Sequence, residues 1–135
     1  MHFKKREIEV VGVSFDSVFT HNAWRQVRIK KGGIGVIQYS MITDIKREII
    51  KAYDIEHPNS SVTLRGSFLI DTISILRHQV INDLPLGHNI DEMIRMIDAL
   101  QFYENMVTYV LHNGKKAKKE CILLLKELLN IYQKI

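Results

Sequence analysis

Apolar residues recur at spacings of three and four along most of this chain, which predicts amphipathic helices rather than alternating strands. From Lys5 to Lys30, Ile8, Val11, Phe15, Val18 and Phe19 carry that spacing, and Trp24, Val27 and Ile29 follow. This reads as a helix broken near Gly12 to Ser14, although Glu7 to Val13 is β-branched enough to form a short strand instead. Ile37 to Tyr53 predicts a second helix with Ile42, Ile45, Ile49 and Ala52 on one stripe. Pro58 breaks the pattern, because it pushes His57 out of helical geometry. Ser61 to Asn82 gives the strongest repeat: Val62, Gly66, Leu69, Ile73, Leu76 and Val80 step by 4, 3, 4, 3 and 4, with Leu64, Phe68 and Ile75 alongside. A helix apolar over so much of its circumference is expected at the centre of the fold.

Pro85 and Gly87 mark a turn, and Asn89 with Glu92 three residues on has the form of a capping box. The helix predicted from Ile90 to Leu111 is about 22 residues and ~33 Å long. It never shows a clean polar face, so it must touch apolar material on more than one side. Asn113-Gly114 ends it, and Lys115 to Tyr132 predicts a last helix bearing Ile122, Leu125, Leu129 and Tyr132. The expected fold is all-α, with about five to six helices in one domain over residues 1–135.

Composition narrows the class. The chain is 46% hydrophobic and 25% charged with two prolines, ordinary for a globular protein and wrong for a disordered one. A chain of 135 residues buries roughly 70% of the surface its unfolded form exposes, enough for a core of its own. Its one cysteine, Cys121, can form no internal disulfide, which fits a reducing cytoplasm. On an apolar helix face it reads as a small core residue rather than a nucleophile. Glu7 and Glu9 interrupt any signal-peptide core, and no window approaches the ~20 apolar residues of a membrane span. A glycosylation sequon at Asn59-Ser60-Ser61 carries no meaning in a cytoplasmic protein. The net charge of +4 is too small to mark a nucleic-acid binder.

Catalytic and metal signatures are missing from the sequence. KKGGIGV, Lys30 to Val36, lacks the Gly-Lys-Ser/Thr of a phosphate loop and the third glycine of a dinucleotide loop. No two of His2, His21, His57, His78, His88 and His112 lie three, four or five apart. Asp44, Asp71 and Asp98 recur every 27 residues, but the match extends no further and reads as chance. The chain is therefore expected to be non-enzymatic, with no catalytic residues and no metal. Lys115 to Lys119 holds four lysines, a surface turn in the plain reading and an anion or nucleic-acid patch in the sharper one. No aromatic residue is interleaved with them, which counts against nucleic acid.

The helix bearing Phe68, Leu69, Ile73 and Leu76, the turn at Leu86-Gly87, and the helix IDEMIRMIDALQFYENMVTYVL together resemble the non-haem globin sensor domain. That family includes sensor domains of stressosome proteins and of sporulation histidine kinases, and free-standing sporulation inhibitors of bacilli. Trp24 is similar to an aromatic position near the end of the family's first helix. The resemblance implies a globin-like fold, a homodimer through the C-terminal helices, and a fatty acid with a halide ion nearby in place of haem. It implies an apolar pocket, for which Phe68, Thr72, Leu76, Met93, Ile97 and Leu100 are the expected lining. Arg65, Arg77 and Arg95 are the expected partners of the ligand carboxylate or anion. Haem itself is disfavoured, although His78 or His88 could serve as a proximal ligand.

The chain ends at Ile135, which leaves no room for an output module after the last predicted helix. It is expected to act by binding, as a stand-alone sensor that competes with a homologous sporulation kinase for signal or partner. The alternatives are a small basic DNA- or RNA-binding regulator using Lys115 to Lys119 with Lys4-Lys5-Arg6, and a haem-binding globin sensor.

Overall fold

The computed structural model describes residues 2–111 and 121–125. Its architecture is mixed α/β, which overturns the all-α expectation. The strands are β1 (Ile8–Ser14), β2 (Ser40–Thr43), β3 (Arg65–Ile70), β4 (Leu76–Asn82) and β5 (Cys121–Leu125). The helices are α1 (Val18–Gln26), α2 (Glu48–Ala52) and α3 (Ile90–Leu111). All five strands form one sheet in the order β2-β1-β5-β3-β4. β1 runs parallel to β2 and to β5, whereas β3 runs antiparallel to β5 and β4.

Each departure from the predicted helices has a physical cause. β1 carries IEVVGVS, whose β-branched side chains fit a pleated surface better than a helix. β3 is an interior strand, and Arg65 to Leu69 are all buried, so it shows no alternation that would mark it as a strand. Ser61 to Asn82 mimics a helical repeat because β3 and β4 fold back on each other, Ser67 opposite Val80 and Leu69 opposite His78. The steps of three and four run across the hairpin turn rather than along one helical face. Residues 37–53 split into the edge strand β2 and the five-residue α2. Of the helix predicted from Lys115 to Tyr132, residues 121–125 form β5 and the rest lies outside the described residues.

The helix from Ile90 to Leu111 is present. The Asn89 side chain accepts the Glu92 N–H at 3.0 Å and caps it. Met93 and Ile97, one turn apart, are buried against Ile8 and Leu69, with Leu100 beside them. What lies under the helix is one face of the sheet. Phe68, adjacent to Leu69 on β3, points to the other face and packs with Ile50 and Ile55. The Tyr53 ring meets Phe68 edge-on at 4.6 Å. α3 is also tied to the chain's start: Arg6 pairs with Asp98 at 2.5 Å, and Gln101 donates to the Arg6 carbonyl at 2.6 Å. Among the described residues no helix is long and apolar enough to cross a membrane.

Ile97 is fully buried between α3 and the sheet. Ile97→Ala should lower the unfolding free energy by about 3 kcal/mol, read as a lower urea midpoint with an unchanged slope.

Candidate functional site

Register places two polar groups at one end of the sheet. Gly12 of β1 is level with Leu125, and Leu125 is level with Ser67 of β3. Two residues further in that direction stand Ser14 on β1 and Arg65 on β3. This is the carboxyl end of the parallel strands β1 and β2, where open α/β sheets place their ligands.

Polar side chains organise this end. The Ser14 hydroxyl donates to Asp16 Oδ2 at 2.9 Å and accepts from the Asp16 N–H at 3.2 Å. It also lies 2.7 Å from His21 Nε2. His21 Nδ1 is 3.4 Å from the Thr43 hydroxyl, so the imidazole bridges β1 and β2. Ser14 and His21 are both buried, and their polar atoms are satisfied by one another. Ser17 caps α1 by accepting the Thr20 N–H at 3.2 Å. Just past β2, buried Asp44 accepts the Ile50 N–H at 2.8 Å and so fixes the start of α2. Arg47 donates to Glu56 at 2.8 Å and to the Ser61 carbonyl at 2.7 Å, and its guanidinium stacks over Phe15 at 5.3 Å. An open polar groove of about 530 Å³ runs beside it, lined by Asp54, Glu56, His57 and Ser61 among others. Arg65 is buried, and its Nε donates to the Leu84 carbonyl at 3.2 Å.

The sequence-predicted pocket residues are scattered over this fold. Phe68 lies in the cluster on the face away from α3, while Met93, Ile97 and Leu100 lie in the cluster beneath α3. Thr72 is in the β3–β4 turn and Leu76 is half-exposed on the edge strand β4. Of the predicted cations, Arg65 alone reaches the carboxyl end of β1. Arg77 pairs with Asp71 at 2.6 Å, and exposed Arg95 pairs with Glu92 at 2.7 Å. His78 is in β4, and His88 sits before α3 with its Nδ1 2.7 Å from the Ser67 hydroxyl. Among the described residues no three His, Cys, Asp or Glu side chains group to hold a metal. Ser14, Asp16, His21 and Thr43 were absent from the sequence-derived set. The one local signal was a cluster of short polar residues, SFDS, at the end of a β-branched run.

Cys121 is at the opposite end. It opens β5 opposite Ile8, and Ile122 is level with Ile70, so Cys121 lies near Asp71. Six residues of strand, about 20 Å, separate that level from Arg65.

A parallel-core sheet with an antiparallel hairpin on one side, helices on both faces and a polar cluster at the carboxyl end defines a thioredoxin-like fold of the peroxiredoxin kind. Residues 1–79 match the AhpC/TSA family, and the chain belongs to that family. It is 60% identical over 101 residues to alkyl hydroperoxide reductase C of Buchnera aphidicola subsp. Schizaphis graminum, covering 75% of this chain and 51% of that one. Against the same enzyme of Buchnera aphidicola subsp. Acyrthosiphon pisum the identity is 51% over 117 residues, covering 87% and 59%. The crystal structure of reduced Plasmodium vivax 2-Cys peroxiredoxin superposes with a TM-score of 0.72 at 41% identity, covering 76% of this chain and 53% of that one. The chain thus spans about half the length of the curated relatives it matches.

These matches overturn the globin-sensor resemblance and what it implied: fatty acid as ligand, a sporulation kinase as competitor, and a homodimer through C-terminal helices. They equally displace the nucleic-acid and haem-sensor alternatives. The relatives are named as reductases, so the non-enzymatic expectation fails as well. The globin resemblance failed for a physical reason. The apolar repeat that suggested a central globin helix belongs to the buried strand β3 and the half-exposed edge strand β4.

At the Cys121 end, Asp71 organises the β3–β4 turn. Burial alone would raise its carboxyl, but the Ile75 N–H, the Arg77 guanidinium and the Ile73 N–H outweigh that and hold it below the ordinary carboxylate value. A carboxyl lowered in the folded state contributes stability above its unfolded pKa, about 3.9, and loses it as pH falls through the folded value. Asp71→Asn should therefore be less stable than the wild type at pH 7, and the gap should narrow below about pH 4 in urea denaturation at a series of pH values.

Proposed function

We propose that this chain forms part of a thiol-dependent hydroperoxide reductase, with its site at the carboxyl end of β1 beside Arg65. The carrying observation is the family match over residues 1–79 together with 60% identity to an alkyl hydroperoxide reductase. A buried guanidinium at that end supports the chemistry.

In the reaction a thiolate sulfur attacks the terminal oxygen of ROOH. The S–O bond forms as the O–O bond breaks, the sulfur is oxidised to sulfenic acid, and the leaving RO⁻ takes a proton to become the alcohol. A second thiol then condenses with the sulfenic acid and releases water, and an external dithiol reduces the resulting disulfide. The mitochondrial relative from Drosophila melanogaster is named a thioredoxin-dependent peroxide reductase, which suggests a dithiol of that class here. Arg65 would act twice, lowering the pKa of the attacking thiol and stabilising charge on the departing oxygen.

The thiol itself is the distinctive point. Residues 1–79 contain no cysteine, and Cys121 opens the strand at the end remote from Arg65. The attacking sulfur in this reading comes from outside residues 1–79 and is delivered to the Arg65 end. The reading places the protein in the cytoplasm, where a reducing pool keeps thiols free.

The test follows consumption of cumene hydroperoxide, with a thioredoxin-type dithiol as reductant, by the protein isolated from its native cell. Arg65→Gln should lower kcat/KM by about 100-fold, whereas Cys121→Ser should stay within about twofold. Loss of activity in Cys121→Ser with Arg65→Gln unaffected would place the chemistry at the wrong end and defeat the proposal.

A further inference from the structure

The chain's surplus of positive charge is concentrated in one segment. The chain holds 19 Lys and Arg against 15 Asp and Glu. Ser17 to Thr43 contains four of those cations, Arg25, Arg28, Lys30 and Lys31, and no acid. That excess equals the net charge of +4 for the whole chain, so the remainder is balanced. The four cations fall at the end of α1 and in the loop that joins it to β2. All four are exposed, and none makes an ion pair among the described residues. Arg6, Arg47, Arg77 and Arg95, by contrast, each meet a carboxylate.

The loop is a fixed platform. Ile29–Lys31 form a single 3-10 turn, closed by Gly32 at a φ of 84°. The Gly33 N–H donates to the Arg28 carbonyl at 3.2 Å, the Ile34 N–H to the Trp24 carbonyl at 3.0 Å and the Gly35 N–H to the Val27 carbonyl at 3.1 Å. A Cβ at Gly33 would stand 2.1 Å from the Val27 oxygen, so only glycine permits this fold-back. Arg25 Nη2 lies 3.5 Å from the Ile37 carbonyl. Among these cations stands an apolar tip. Val36 is 92% exposed, and Ile29 lies beside its neighbour Gly35, 3.6 Å from where a Cβ there would stand.

We propose that this loop docks on an anionic phospholipid surface, with Val36 entering the headgroup region and Arg28, Lys30 and Lys31 meeting lipid headgroup anions. A bilayer of that kind suits both features at once. It offers diffuse negative charge that asks for no matched pocket, and apolar depth for a single projecting side chain. Each basic residue held at such a surface is worth about fivefold in partitioning, and the effect is screened by salt. The inference stands apart from the hydroperoxide-reductase reading. The loop precedes β2, whereas Ser14 and Thr43 end β1 and β2, so a docked loop leaves that end open.

The test titrates the 135-residue protein with phosphatidylcholine vesicles containing about 30 mol% phosphatidylserine, and with vesicles of phosphatidylcholine alone. Binding is read by cosedimentation and by the fluorescence of Trp24, the one tryptophan of the chain. The protein is expected to bind the anionic vesicles and to be released by about 0.5 M salt. Lys30→Glu with Lys31→Glu should weaken partitioning at least tenfold, and Val36→Asn about threefold. Both changes lie at exposed side chains, so the fold is retained. Lys4→Glu with Lys5→Glu makes the same change of charge outside the loop and should stay within about twofold. An equal loss in that control would reduce the effect to net charge and overturn the inference. Absence of binding to the anionic vesicles, or equal binding to both kinds, overturns it as well. Binding to soluble polyglutamate without binding to vesicles would identify an acidic protein as the partner and defeat the lipid assignment.

Discussion

The strand at the middle of the sheet is the constraint on which the other elements depend. β1 and β3 each expose a full row of backbone donors and acceptors toward the space between them, and β5 satisfies both rows. Only with that strand in place do the two faces of the sheet become continuous. One face then seats α3 through Met93 and Ile97, and the other collects Phe68, Ile50 and Ile55. Both clusters would be split by an empty central slot.

Around this sheet the loops are held by carboxylates at strand ends. Asp44 follows β2 and accepts the Ile50 N–H, which starts α2. Asp71 follows β3 and accepts the N–H groups of Ile73 and Ile75, which shapes the hairpin. Asp98 does something different, pinning Arg6 to α3. The regular spacing of these three residues in the chain therefore has no common structural origin, although two of them do similar work. At the carboxyl end of the parallel strands, Ser14 and His21 join β1 to α1, and Thr43 extends the contact to β2. This network holds fixed the strand end level with Arg65.

Position, rather than residue type, separates Arg65 from the other arginines first considered. Arg77 pairs with buried Asp71 and Arg95 with Glu92 away from this end, whereas Arg65 is buried at the level where the parallel strands end. Cys121 shows the same dependence. It is the thiol of these 135 residues, but its register puts it beyond reach of the buried cation. The two groups therefore stand at opposite ends of the sheet, about 20 Å apart.

The sequence alone determined the local features. Asn89 caps α3, Pro85 and Gly87 lie in the turn before it, and the helix runs from Ile90 because its apolar stripe and cap agree. The β-branched run at Glu7 to Val13 already allowed a strand. Tertiary structure decided the rest. Whether Ser61 to Asn82 is one helix or two strands depends on β5, whose residues lie 52 to 58 positions further along the chain than their β3 partners, because a strand buried on both faces loses the alternation that would identify it. The proposed site was hidden for the same reason. Ser14, His21, Thr43 and Arg65 come from separate elements, and only the register of the sheet brings them to one end.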